Sequence, residues 1–140
     1  MIKTFRGLLV DGGQVTIRLS TNKGEIGYRI VKFQLMGNQP GAANGEHTMK
    51  LYTRKPDAVD AIVDFSDQTL LAASWFATDK DYQRSTEIII FDNVKFNQDI
   101  FLTHSETVGS ASCNYYVELE QVKLNENEAT VATLKDMRAN

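Results

Sequence analysis

Four aspartates, Asp57, Asp60, Asp64 and Asp67, form the densest group of like ligands in the chain. Calcium takes about six to eight oxygens, and closely spaced carboxylates with backbone carbonyls can supply them. The spacing matches no EF-hand loop, however, and Asp57, Asp60 and Asp64 fall at helical intervals. The competing reading puts them on the solvated face of a helical turn. His47 and His104 are the two histidines. His47 shares strand parity with Met49 and Leu51, and His104 shares it with Ile100 and Leu102. Histidines on apolar faces read as hydrogen-bonded packing residues before they read as ligands. Cys113 is the single cysteine, so no intramolecular disulfide exists, and between Ser112 and Asn114 it reads as a small, half-buried thiol.

No Ser-His-Asp or Cys-His arrangement is bracketed by a recognisable turn motif, and no glycine-rich phosphate loop opens a helix. The expectation is therefore a non-enzyme without catalytic residues, cofactor or firm metal site. Trp75, Phe76, Tyr82, Tyr115 and Tyr116 could stack on sugar rings. The run Leu70-Leu71-Ala72-Ala73-Ser74-Trp75-Phe76-Ala77 is apolar on both faces, so the favoured reading covers both faces, by an overlying loop or a subunit contact. Leu71, Trp75 and Phe76 are accordingly interface candidates.

The elements that must position these residues are strands. Val15, Ile17 and Leu19 point one way while Gln14, Thr16, Arg18 and Ser20 point the other, and the same alternation returns at Val31-Phe33-Leu35, Met49-Leu51, Ile88-Ile90, Ile100-Leu102 and Tyr115-Val117-Leu119. Strands are expected at about 4–10, 14–20, 27–36, 46–54, 70–78, 86–92, 94–104 and 113–124. Asp11-Gly12-Gly13 suits a hairpin turn with positive φ. A change of phase at Ile30-Val31 predicts a bulge. Pro56 and Asp57 begin a short helix over 56–64, crossing an end of the sandwich. The fold class is all-β: a jelly-roll-like antiparallel sandwich over 1–124, with an immunoglobulin-like sandwich as the rival. Residues 125–140 are expected to form an arm or short helix carrying Val131, Leu134 and Met137. That arm is expected to leave the sandwich and pack on a neighbouring subunit or a shell.

The chain has 140 residues, 42% hydrophobic and 24% charged, enough for one domain with a real core. A net charge of −3 with singly scattered basic residues argues against a phosphate-tracking grip on nucleic acid. The opening residues read as no secretory signal, and no apolar stretch reaches membrane-spanning length, so folding in a reducing cytoplasm is expected.

Several segments, Thr4-Phe5-Arg6-Gly7-Leu8-Leu9-Val10-Asp11-Gly12-Gly13, Gly27 to Gln34, Val63 to Asp67, Phe91-Asp92-Asn93 with Phe96 to Ile100, and Cys113 to Glu120, carry a resemblance. Together they resemble small uncharacterised all-β virion proteins encoded by marine tailed bacteriophages, over most of the chain. The resemblance implies a virion component, folded in the host cytoplasm, and carries over no site residues. It leads to the expectation of a capsid decoration or cement protein, a homo-oligomer with a trimer favoured, partnered by itself and the major capsid protein. The alternatives are a tail- or fibre-associated glycan- or receptor-binding module and a single-jelly-roll shell protein.

Overall fold

The computed structural model describes residues 1–19, 25–40, 44–78, 84–91 and 94–125. Eight strands follow in order: β1 (Ile2–Leu9), β2 (Gln14–Ile17), β3 (Ile26–Gly37), β4 (Gly45–Tyr52), β5 (Leu70–Thr78), β6 (Arg84–Ile90), β7 (Ile100–Glu106) and β8 (Cys113–Lys123). They form two antiparallel sheets, β1-β8-β3 and β2-β7-β4-β5-β6, packed face to face. Gly12, at φ 75°, makes the turn between β1 and β2 that the Asp11-Gly12-Gly13 run predicts.

Alternation builds the core. Phe33, Val117 and Leu119 from the three-stranded sheet meet Met49, Leu51, Ile100 and Leu102 from the five-stranded sheet, all fully buried. Two irregularities keep the apolar faces in phase. The β3–β8 register slips between Ile30 and Lys32, where the change of phase predicts a bulge. The β4–β5 register slips between Leu51 and Tyr52, pairing Leu51 with Ala72 and Tyr52 with Leu70, so Leu71 is the extra residue.

Two expectations need correction. Residues 56–64 form no helix, and no helix forms among the described residues. Asp60, Asp64 and Asp67 instead accept hydrogen bonds from the backbone N–H two residues on, at Ile62 (3.0 Å), Ser66 (2.9 Å) and Thr69 (2.8 Å). Such local side-chain bonds offer the backbone an alternative to the helix ladder, and here they win. The strand expected from 94 begins only at Ile100. Asp99 turns its carboxylate onto the Leu19 N–H (2.6 Å), and Phe96 forms a lone bridge with Tyr28 across the side of the sandwich.

Residues 53–69 pass over the outer face of the five-stranded sheet. Lys50 and Ala73 are paired neighbours on that face, and the Lys50 ammonium donates to Asp60 Oδ1 (2.9 Å) and to the Ile62 carbonyl. An overlying segment thus covers this part of the two-sided apolar strand. The expected arm at 125–140, with Val131, Leu134 and Met137, lies outside the described residues apart from Asn125.

Candidate functional site

Strand pairing brings the two histidines together. In the β4–β7 ladder Met49 pairs with His104 and His47 with Glu106, so both imidazoles point inward on adjacent strands. Cys113, the first residue of β8, reaches the same place from the opposite sheet. One ligand atom each of His47, His104 and Cys113 lies within 4.8 Å of the others, and all three residues are buried.

The tautomers follow from the hydrogen bonds. His104 Nδ1 stands 2.9 Å from the Val10 carbonyl, which only accepts, so Nδ1 carries a proton, and in the neutral ring Nε2 then presents the lone pair. His47 Nδ1, 3.0 Å away, donates to that lone pair. The rings stack at 5.1 Å, and Phe76 stacks on His47 at 6.2 Å. His104 is also fixed through its backbone: its carbonyl accepts from Gly12 N–H (2.9 Å) and its N–H donates to the Gly13 carbonyl (3.0 Å). The β1–β2 turn therefore sets the position of this imidazole.

Electrostatics disfavour charge on His47 and on Cys113. Burial, and then His104, lower the pKa of His47, against the raising influence of Glu106 and Asp11. Burial pushes the Cys113 thiol up to about 12, with Sγ 3.5 Å from the Met36 carbonyl. Glu106 is different. Burial raises its pKa, but the N–H groups of Glu46 and Val108 (2.9 Å each) and of Gly109 outweigh that and hold the carboxyl below its usual range. His47 also lines a pocket of about 220 Å³ with Gly37, Asn38, Asn44, Phe76 and Ser112.

Asp57, Asp60 and Asp67 line one pocket of about 330 Å³ with Arg54 and Lys55, but the aspartates form no convergent ligand group among the described residues. Asp64 closes on Ser66, whose N–H and hydroxyl (2.6 Å) lower its pKa, Asp67 closes on Thr69, Asp60 takes the Lys50 ammonium, and Asp57 is exposed. Among the described residues, the only convergent group of three or more potential His, Cys, Asp or Glu ligands is His47, His104 and Cys113. Of the aromatic candidates, Phe76 turns inward onto His47, Tyr115 packs over Gly7, and Tyr116 donates to Glu118 Oε1 (2.7 Å). Trp75 is half-buried on the outer face, paired with Thr48 and Glu87, while Leu71 belongs to the core. Tyr82 lies outside the described residues.

Sequence parity pointed both histidines inward but separated them from each other and from Cys113, because strand order is not written in any one strand. No protein-family model matches the chain, and no curated protein is significantly similar to it.

Proposed function

We propose that the chain is a non-enzymatic structural subunit of a phage virion, a jelly roll that decorates or cements the capsid through subunit and shell contacts. The strand order supports the finer fold. A jelly roll arranges its strands as β1-β8-β3-β6 and β2-β7-β4-β5, and this chain departs from that only in leaving β6 hydrogen-bonded to β5. Residues of β6 and β3, including Ile88 and Leu35, face each other across a groove of about 350 Å³.

The observation that carries the functional reading is the segment 53–69. Its backbone is ordered by three side-chain-closed turns and anchored by Lys50, yet it holds Ile62 (70% exposed), Val63 and Phe65 (54%) outward. An ordered apolar platform exposed to water is a contact surface in search of a partner. Light scattering on the purified chain, alone and mixed with capsids, tests the reading. A trimer that binds heads is expected, with Ile62→Asp/Phe65→Asp weakening the contacts; a persistent monomer that never binds heads overturns it.

A glycan-binding role on a tail or fibre has one observation in its favour, the half-buried Trp75 between Thr48 and Glu87. A glycan array with hits abolished by Trp75→Ala would select it instead.

A further inference from the structure

We propose that His47, His104 and Cys113 form a mononuclear zinc site that ties the two sheets together. The donor set is the first argument. Two imidazoles and one thiolate suit zinc, a borderline-soft ion bound mainly by nitrogen and sulfur, and they exclude calcium and magnesium, which take oxygen.

Geometry is the second argument. Two nitrogens bound to one tetrahedral zinc lie about 3.3 Å apart at ordinary Zn–N lengths. His47 Nδ1 and His104 Nε2 are 3.0 Å apart, so an ion about 2.0 Å from each would replace their shared proton and sit to one side of the line between them. All three donor atoms lie within 4.8 Å of one another, so contractions of the order of 1 Å complete the set. The outer shell is the third and independent argument. A metal-binding histidine typically donates its other ring N–H to a carbonyl or carboxylate, which aims the ligand nitrogen at the ion. His104 does this with the Val10 carbonyl at 2.9 Å.

The chemistry balances without a co-reactant. Zinc displaces the Cys113 thiol proton to solvent and forms a Zn–S bond. His47 moves its proton from Nδ1 to Nε2 and binds through Nδ1, and His104 binds through Nε2 unchanged. The pocket that His47 lines, which also includes Ser112 next to Cys113, is the side from which an ion would approach. The competing reading, a packed histidine pair beside a buried thiol that bonds the Met36 carbonyl, predicts no metal-dependent change at Cys113.

The test uses the full chain, freed of metal by chelator and titrated with zinc and with cobalt(II) as its coloured substitute. The expected result is one ion per chain, a thiolate-to-cobalt charge-transfer band in the near ultraviolet, and its displacement by zinc. Cys113 is the only cysteine, so the band reports that residue even if no variant folds. Zinc should raise the melting temperature of the native chain by several degrees, and His47→Gln should weaken zinc binding by about 10- to 100-fold or more. A chain that shows no thiolate band with saturating cobalt overturns the site, as does zinc binding unchanged in a folded Cys113→Ala variant.

Discussion

Lys50 Nζ lies 2.9 Å from Asp60 Oδ1, with the lysine side chain almost wholly buried and the aspartate side chain 47% exposed. This pair fastens the 53–69 segment to the sheet. Lys50→Ala removes the donors to both Asp60 and the Ile62 carbonyl, and should cost about 1–3 kcal/mol by urea denaturation. It should also speed proteolysis between residues 53 and 69. Unchanged stability and unchanged cleavage would show that the segment is held by something else.

The same pair gives a pH dependence with two signs. Hydrogen bonding to Lys50 holds the Asp60 carboxyl below its ordinary 3.8, so its contribution is present above that value and is lost as pH falls through the lower folded pKa. Burial would lower the Lys50 pKa, but hydrogen bonds with Tyr52 and Asp60 outweigh it and raise the pKa above 10.5. That contribution is complete below 10.5 and is lost as pH rises through the folded value. The stability difference between wild type and Lys50→Met should therefore be flat between about pH 5 and 10 and shrink outside it. A difference that varies steadily across that window would contradict the pairing.

Gly27 is a packing requirement. A Cβ there would stand 2.7 Å from Leu124 Cδ1 and 2.8 Å from its Cγ, and Leu124 is buried with its N–H on the Glu25 carbonyl. Gly27→Ala should destabilise by about 1–3 kcal/mol, and Leu124→Ala should cost less in that background than alone. Simple additivity in the double-mutant cycle would refute the clash.

Much of the fold was legible because half-buried strands alternate, and the slip at Ile30–Val31 was legible because the alternation changes phase there. The segment 56–64 misled because aspartates at 57, 60 and 64 satisfy helical spacing and local turns equally. Lys50, on a neighbouring strand, gives Asp60 a tertiary partner that the spacing cannot show. The histidine–cysteine cluster stayed hidden for a related reason. Parity turns His47 and His104 inward, but 57 residues separate them and Cys113 belongs to the other sheet, so only strand order brings them together.

The burial of Cys113 has a direct chemical readout. With chelator present at pH 8, a thiol raised to about 12 should react with iodoacetamide about a thousandfold more slowly than a free cysteine, and at the ordinary rate in denaturant. Rapid native alkylation would mean that β8 frays at its start.

Leu124 is the last buried side chain before the described residues end at Asn125. A chain shortened to 1–125 should keep its melting temperature within about 2 °C, while oligomerisation or capsid attachment weakens. A truncated chain that precipitates, or that assembles as the full chain does, would contradict an assembly role for residues 126–140.

The central claim is membership of the virion, and the most direct measurement is the protein content of phage particles purified by density gradient. The account predicts that the chain co-sediments with intact particles at a fixed copy number, remains with heads after tails are sheared away, and is released when the shell is dissociated. A chain found only in the soluble lysate, with none in purified particles, would contradict it.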